Sequence, residues 1–364
     1  MQSLLSSFSS LSDPRVKNRS EYPLETIVFI TICAVVSGAN TWKDIESFGK
    51  MKTPWIKKYV SLPGDKSPCD DVYADIFRAI DNTEFSNCFI DWISHISGLV
   101  PEELVSIDGK TLRGSYDRHD NKAAIHMVSA WSHKNQIVLG QYRTDAKSYE
   151  ITAIPALIKL LDLSGGVVTI DAMGCQREIA EDIVAAGADY ILALKQNQKT
   201  LYEEVENTFK VSVGKTSKKT DKDHGRIETR KCSVVNNLKW IDEAKKWKGL
   251  NTVVKIERAR EILSTGKKTT EISYYISSLK ETAEKINQLI RGHWEIENQL
   301  HWVLDVTFRE DENRTRKGNA DVNFNIIRHT ALNILKLDNT KTSLKQKRYK
   351  AALDDQFREI VLKI

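Results

Sequence analysis

Two aspartates each follow a short apolar run, which is where sites form in open α/β sheets. Asp108 comes after the run that contains Val105 and Ile107, and Asp171 comes after the run that ends in Ile170. We interpret both runs as buried strands that end at these acids. Because sites gather beyond the carboxyl ends of such strands, the two side chains are expected to face one crevice.

A third carboxylate lies on a predicted late helix. Glu297 falls in the segment HWEIENQ, where it borders the apolar face marked by Ile290, Trp294 and Leu300. A carboxylate at such a place is costly unless it is paired or binds a metal ion. Three converging carboxylates suit Mg²⁺ or Mn²⁺, which prefer oxygen ligands. A two-metal site of this kind stabilises both the attacking and the leaving oxygen of a phosphodiester.

Other side chains around Glu297 leave different site chemistries open. His293, Glu297 and His301 are four residues apart on one predicted helix face. A zinc site is therefore an alternative, although the HExxH order is absent from this segment. Asp305 and Asp311 are second-choice metal ligands, and the ordinary interpretation of their segment is a turn with ion pairs.

Basic and amide side chains near the predicted site are candidates for phosphate contacts. Lys195 and Asn197 follow the predicted strand YILAL, and a solvated loop is an equally good interpretation of this segment. Arg226 and Arg230 lie on one face of HGRIETR if that segment is a strand. They would then form either a DNA-facing strip or a charged sheet surface.

The composition describes a globular protein with an ample core. The chain has 364 residues, of which 41% are hydrophobic and 28% charged, and this length predicts two or three domains. Its net charge of +5 is compatible with nucleic-acid binding without establishing it. The five cysteines fit neither a metal site nor a disulfide framework, so a reducing cytoplasm is the expected setting. The most apolar window, 26–39, is too short to cross a bilayer and is predicted to be a buried helix.

The predicted elements change in type along the chain. Residues 1–98 are predicted to be helical, and strands and helices follow in the order strand, strand, strand, helix, strand, helix, strand. The second and third strands are predicted to form a hairpin around residues 132–136, and the first of these helices to begin at Tyr149. Residues 199–280 are interpreted as a β-rich insertion, and residues 281–306 as one long helix that carries Glu297.

Two tryptophans and one basic segment are interpreted as structural features rather than as DNA contacts. Trp294 and Trp302 are interpreted as core aromatics rather than as platforms for stacking bases. The basic run at 341–350 is interpreted as a solvated tail, with DNA backbone binding as the lesser alternative.

Long motifs spread along the chain resemble those of one known family. The motifs are VSIDGKTLRGS, VVTIDAMGCQREIA, ADYILALKQNQ, HGRIETR and RGHWEIENQLHWVLDVTFREDENRTRKGNA. They resemble the H-repeat-associated proteins of Rhs elements, a branch of the insertion-sequence DDE transposases with a ribonuclease-H-like catalytic core. Residues 13–48 resemble the associated N-terminal region of that family.

The resemblance implies a fold and a domain organisation. The fold class would be α/β, with a ribonuclease-H-like mixed sheet flanked by helices and a β-rich insertion before the helix of the catalytic Glu. A helical N-terminal domain would span 1–98, the catalytic domain 99–340, with its insertion at about 199–280, and a basic C-terminal tail 341–364. The N-terminal helices would bind the ends of a mobile element or help assembly.

The resemblance also implies an activity and its site. The family's triad falls on Asp108, Asp171 and Glu297, which would hold two Mg²⁺ ions, with Mn²⁺ as a substitute. The protein would cleave DNA strands at the ends of a mobile element and transfer them into a target. Its partners would be double-stranded DNA and further copies of itself, in the cytoplasm and away from membranes. The alternatives are a nuclease of the same fold that does not join strands, and a catalytically inactive DNA-binding remnant.

The chain departs from the signature of the wider transposase group around Glu297. The Tyr, Arg and Lys positions of that signature, which contact DNA phosphate, are occupied here by Ile290, His293 and Leu304. Arg291, His293 and His301 are the candidates for taking over the phosphate contact.

Overall fold

The N-terminal part of the chain is helical, as predicted. The computed structural model describes residues 4–16, 20–96, 101–116, 123–144, 150–223 and 225–364. The N-terminal helices are α1 (Leu4–Ser7), α2 (Leu24–Val36), α3 (Trp42–Met51), α4 (Thr53–Ile56), α5 (Asp70–Ala79) and α6 (Asn82–Ile96). The apolar window is α2, which is buried from Thr26 to Val36 and is therefore a core helix. The predicted domain boundary at 98–99 lies outside the described residues and stays a prediction.

A mixed sheet follows these helices. Its strands are β1 (Leu104–Thr111), β2 (His126–Ser132), β3 (Ile137–Thr144), β4 (Val167–Ile170), β5 (Asp189–Leu194), β6 (Lys215–Asp223), β7 (Arg226–Val235), β8 (Thr252–Ile262) and β9 (Lys268–Ser277). Within the described chain they form a single sheet in the order β3-β2-β1-β4-β5-β9-β8-β7-β6. Strands β1, β4 and β5 are parallel, whereas β2 and β3 form the predicted antiparallel hairpin.

Helices connect the parallel strands and cover both faces of the sheet. The connections are α7 (Glu150–Leu160) and α8 (Arg177–Ala185), so the predicted order of strands and helices is confirmed. Tyr149, the predicted first residue of α7, lies outside the described residues. On one face, α10 (Ala283–His293) packs its apolar side against β1, β4 and β7. The predicted fold class, a ribonuclease-H-like mixed sheet flanked by helices, is confirmed.

The predicted β-rich insertion extends this same sheet. It opens with a helix, α9 (Lys199–Val211), and then supplies β6 to β9. Its last strand, β9, pairs antiparallel with β5, with Ile191 opposite Ser277 and Leu194 opposite Tyr274. The insertion therefore forms a wall directly beside the parallel strands.

The prediction of one long helix over 281–306 is wrong. After α10 the chain makes a turn at Trp294, forms a π-helical segment over Glu297–His301 and continues as α11 (Trp302–Thr307). The backbone N–H of Trp302 donates to the Glu297 carbonyl, which closes the wider turn. This turn keeps Ile296 and Leu300 buried in the core. Such π-helical turns occur often at functional sites.

The interpretation of Trp294 and Trp302 as core aromatics is also wrong. Their exposed fractions are 45% and 59%. The turn and the π-helical segment change the angle by which successive side chains rotate around the helix axis. The prediction assumed the rotation of a regular α-helix and therefore placed both rings on the buried side. Trp294 instead borders the pocket described below.

The C-terminal helices join the sheet to the N-terminal helices. They are α12 (Ala320–Leu337), α13 (Leu344–Leu353) and α14 (Asp355–Leu362). Helix α12 is buried along nearly its whole length and packs against α2, α5, α6 and β3. The helices of the N-terminal part therefore share a core with the sheet.

The basic run at 341–350 is not a solvated tail. Most of it belongs to α13, where Lys347 and Arg348 are each only 5% exposed. The Arg348 guanidinium donates to the backbone carbonyls of Val35 and Ala39 at 3.0 Å each. These carbonyls lie at and just after the end of α2, where the last carbonyls of a helix lack partners within it. A buried cation was unexpected because the sequence shows only a run of charges.

Substitution of Arg348 by methionine should destabilise the protein by about 3 kcal/mol, because it leaves the Ala39 carbonyl without its donor and removes the hydrogen bond to the Val35 carbonyl. Urea denaturation measures the change. The control is Lys345→Met, which removes an exposed cation from the same helix and should change stability by less than about 0.5 kcal/mol. Equal effects of the two substitutions would contradict the assigned role of Arg348.

Candidate functional site

The three predicted acids line one pocket of about 340 Å³. Asp108 comes from β1, Asp171 from the residue after β4, and Glu297 from the π-helical segment. The far wall is formed by β8 and β9 of the insertion, including Ile256 and Tyr275. The pocket therefore lies between the parallel strands, the broken late helix and the extension of the sheet.

The register of the parallel strands brings the two aspartates together. Ile107 lies opposite Ile170 in the last pair of the β1–β4 ladder, and Asp108 and Asp171 are the next residues on each side. The interpretation of Asp108 as the end of its strand is wrong, because β1 continues to Thr111 through its pairing with β2. It is the parallel pairing that ends at this position, and this opens the crevice expected there.

Asp108 is held in an electrostatically unfavourable place. Its side chain is 21% exposed, and burial, the largest cause, raises the pKa of its carboxyl to about 7. The nearby carboxylates of Asp171, Glu150 and Glu297 raise this pKa further, whereas the backbone N–H of Gly109 lowers it. The surroundings of Asp108 therefore disfavour the ionised form of its carboxyl.

His301 packs against Asp108 without forming the zinc site considered above. Its Nδ1 lies 3.6 Å from Asp108 Oδ2, and burial lowers the pKa of His301 to about 3, so the ring is neutral. His293 is bonded instead to Thr169 on β4. Among the described residues, no three histidine, cysteine, aspartate or glutamate side chains lie close enough together to hold a metal ion.

The two second-choice ligands form ion pairs outside the pocket. Asp305 Oδ1 lies 2.5 Å from the Nζ of Lys110, which also contacts the buried Glu310 at 2.6 Å. Asp311 lies 3.7 Å from Arg113. Lys110 comes two residues after Asp108 on β1, so its ion pairs tie this strand to α11 and to the turn after it.

Basic side chains face the acids from two directions. Lys195, directly after β5, is exposed and lines the pocket. Arg230 of β7 and Arg258 of β8 are opposite each other in the sheet and line the pocket as well. Arg230 lies 3.3 Å from Glu228, and burial is the main cause that lowers the pKa of Arg230. These cations form a wall that suits phosphate groups.

The other predicted DNA contacts lie around the pocket rather than in its lining. The Asn197 amide donates to the Ala172 carbonyl at 2.7 Å and so ties its loop to the residue after Asp171. Arg226 is at the start of β7, four residues before Arg230 along the strand. Arg291 is exposed and forms an ion pair with Asp221 on β6.

His293 lines the pocket but differs from a cationic phosphate ligand. Its Nδ1 is 3.0 Å from Thr169 Oγ1. Burial lowers the pKa of His293 to about 4, although the charge of Asp171 acts in the opposite direction. The ring is therefore neutral near pH 7, and its part in the site has to be sought in hydrogen bonding.

Sequence reasoning missed Lys110 and Arg258. Side chains alternate between the two faces of a strand, so Lys110 shares a face of β1 with Asp108 and Arg258 shares a face of β8 with Ile256. This alternation was the available signal. The alternation could not show that Lys110 and Arg258 lie near the three acids. Strand β8 comes close to the acids only because β9 pairs with both β5 and β8.

The donor chemistry of the pocket suits a hard divalent cation. Carboxylate oxygens are the ligands that such ions prefer. A cation among the three acids would offset both the burial that mainly raises the Asp108 pKa and the smaller repulsion from the neighbouring carboxylates. Asp171 and Glu297 are exposed. Glu297 can therefore turn toward a bound ion, whereas the Asp171 carboxylate is held in place, because its Oδ1 accepts from the backbone N–H of Met173 at 3.0 Å.

Comparison with known proteins identifies the family. The model described as "Transposase DDE domain" matches residues 78–334, and the one described as "DDE_Tnp_1-associated" matches residues 5–93. Within the described residues, no helix is long and apolar enough to cross a membrane.

Similar proteins match along the whole chain. "Putative transposase YncI" of Escherichia coli O157:H7 is 42% identical over 100% of this chain and 95% of its own length. "H repeat-associated putative transposase YhhI" of Escherichia coli K12 is 40% identical over 100% and 98%. A solved piggyBac transposase synaptic complex with hairpin DNA aligns with a TM-score of 0.48 and 12% identity, covering 100% of this chain and 81% of that one. From the family match and these full-length relatives, the chain belongs to the DDE transposase family of insertion sequences.

Proposed function

We propose that this protein is a Mg²⁺-dependent DNA transposase that cleaves strands at the ends of an insertion-sequence-like element and joins them to target DNA. One observation carries the proposal. Asp108 and Asp171, from neighbouring parallel strands, line one pocket with Glu297, and burial together with the neighbouring carboxylates raises the pKa of Asp108 there. Members of the DDE transposase family generally use divalent metal ions and act on DNA, which agrees with such a site.

The three carboxylates would hold Mg²⁺, with Mn²⁺ as a substitute. When bound, the metal supplies Lewis-acid stabilisation of the charge that develops on the phosphodiester. Asp108 is the most buried ligand and comes from the interior of a strand, so its position is the most restricted. Glu297 is exposed on the π-helical segment and can adjust to the ion and to DNA.

The basic wall would bind the DNA backbone beside the acids. Lys195, Arg230 and Arg258 line the pocket and would contact the phosphates nearest to the cut. Arg226 would contact DNA farther along β7. Arg291 would contribute by exchanging its ion pair with Asp221 for a phosphate. Asn197 would hold the loop after β5 against the residue that follows Asp171.

Two element ends have to be cut and joined in one event, so we propose that the protein acts as a homo-oligomer on DNA. A single pocket of this kind serves one strand end at a time. Cross-linking in the presence and absence of end DNA would reveal the assembly.

Nicking by the full chain tests the proposal. The substrate is a labelled duplex carrying the DNA that flanks the gene, with supercoiled plasmid as target, in Mg²⁺ or EDTA. The wild type should nick the duplex in Mg²⁺ and join its labelled 3′ end to the plasmid, and Asp171→Ala should do neither. The control is Glu181→Gln, an exposed carboxylate on α8, which should act like the wild type.

The alternatives predict different products. Nicking without joining would favour a nuclease of the same fold. DNA binding without nicking by the wild type would favour a catalytically inactive remnant. Equal nicking by the wild type and Asp171→Ala would contradict the assignment of the acids.

A further inference from the structure

A chain of hydrogen bonds runs from the acid pocket through the sheet to the surface. His293 Nδ1 lies 3.0 Å from Thr169 Oγ1, which lies 3.0 Å from Ser106 Oγ. Ser106 Oγ lies 2.8 Å from His133 Nε2, and His133 Nδ1 lies 3.1 Å from Glu295 Oε2. Thr169 and Ser106 are buried, whereas Glu295 is 49% exposed. The chain is thus anchored at a surface carboxylate.

The carboxylate sets the direction of every donor along this chain. The carboxylate oxygen of Glu295 is an acceptor, so His133 carries its proton on Nδ1 and accepts at Nε2 from the Ser106 hydroxyl. Ser106 then accepts from the Thr169 hydroxyl, and Thr169 accepts from His293 Nδ1–H. The other acceptor near Thr169, the Val105 carbonyl, is more distant at 3.5 Å.

These hydrogen-bond directions leave Nε2 of His293 without a proton. A neutral imidazole carries one N–H, and here that N–H is donated to Thr169. The ring stays neutral near pH 7 because burial lowers its pKa to about 4, with the charge of Asp171 as a smaller, opposing influence. The charged side chains that line the pocket with His293 are Asp108, Asp171, Lys195, Arg230, Arg258, Glu271 and Glu297.

We propose that His293 is a further catalytic residue, whose Nε2 accepts a hydrogen bond from the attacking water or DNA 3′-hydroxyl and orients its oxygen toward the phosphorus. The inference rests on the proposed function, because it names the group that positions the nucleophile at the same acids. Thr169, Ser106, His133 and Glu295 are positioning residues that fix the tautomer of His293. The nearby cations provide donors for phosphate, whereas a fixed acceptor such as His293 selects a hydroxyl or water.

The tautomer can be measured without any activity. In full-length protein labelled with ¹⁵N-histidine, long-range proton–nitrogen correlations at pH 7 in EDTA distinguish Nδ1–H from Nε2–H rings. We expect His293 and His133 both to be neutral with the proton on Nδ1, with assignment by His293→Gln and His133→Gln. In Thr169→Val, the His293 ring should become a mixture of tautomers. A wild-type His293 that carries its proton on Nε2 would overturn the inference.

Nicking kinetics test the consequence for the reaction. Thr169→Val and Ser106→Ala should lower kcat about 10- to 100-fold while leaving KM for DNA unchanged, because a misplaced nucleophile slows the chemical step. The matched control is Ser233→Ala, a buried serine on β7 of the same sheet, which should nick like the wild type.

Different results would overturn the role of His293 and the transposase assignment. Wild-type kcat in both Thr169→Val and Ser106→Ala would overturn the role of His293 and leave the transposase assignment intact. A wild type that never nicks would overturn the transposase assignment, and the measured tautomer alone would then support or refute the orientation of His293.

Discussion

Substitution of Asp108 by asparagine is expected to abolish nicking while making the protein more stable. Activity should fall by about 10³-fold or more, because a lost metal ligand costs several kcal/mol of transition-state stabilisation. Stability should rise because the wild-type carboxyl, with a pKa of about 7 against 3.8 for an unperturbed group, is ionised at a cost in the folded state. The gain should be about 2–4 kcal/mol at pH 8.

The pH dependence of this gain follows from the sign of the shift. A folded-state pKa above the unfolded value means that the wild type loses stability as the pH rises toward 7 and loses no more above it. The advantage of Asp108→Asn should therefore be full at pH 8 and much smaller at pH 5. Urea denaturation in EDTA at both pH values measures it. Glu181→Gln serves as the control for the loss of an exposed carboxylate, and a gain that is equal at both pH values would contradict the explanation.

Substitution of Lys110 by methionine should have the largest effect on stability of any change near the site, about 3–5 kcal/mol. Its ammonium group contacts Asp305 and Glu310, and Glu310 has a side chain that is only 1% exposed. Burial alone would raise the pKa of Glu310, and Lys110, with Arg328 and His329, lowers it instead. Removal of this cation leaves an ionised carboxylate in the core without its ion-pair partner.

A double substitution separates the ion pair from simple loss of packing. Lys110→Met combined with Glu310→Gln should recover a large part of the stability lost in the single variant, because the buried negative charge is removed as well. Lys199→Met, at an exposed ion pair of 4.0 Å with Glu203, should change the free energy of unfolding by less than about 0.5 kcal/mol. Both are measured by urea denaturation, and no recovery in the double variant would count against the ion-pair explanation.

Local patterns in the sequence were sufficient for the strands and for the meeting of the acids. The apolar runs before Asp108 and Asp171 predicted two strands whose acids face one crevice, and the β1–β4 register places these residues side by side. The carboxyl ends of parallel strands lie at the same edge of a sheet, so acids that follow two such strands are brought to one place. The position of Glu297 was harder to predict, since it depends on where the late helix breaks.

The remaining features depend on contacts between distant parts of the chain. A π-helical turn leaves no periodic signal, so Trp294 and Trp302 were assigned to the core by counting regular turns. Arg348 looked like part of a charged tail because its partners, the carbonyls after α2, are more than 300 positions away. The role of Arg258 required the pairing order of the extended sheet.

The contacts of α2 have a consequence for synthesis on the ribosome. This apolar helix is translated well before two of the helices that pack against it, α12 and α13. Its apolar side chains therefore lack these partners until α12 and α13 have been made. Contacts between such distant segments slow folding and prolong the exposure of apolar surface, so a nascent chain of this protein should depend on chaperones until α12 and α13 have been made.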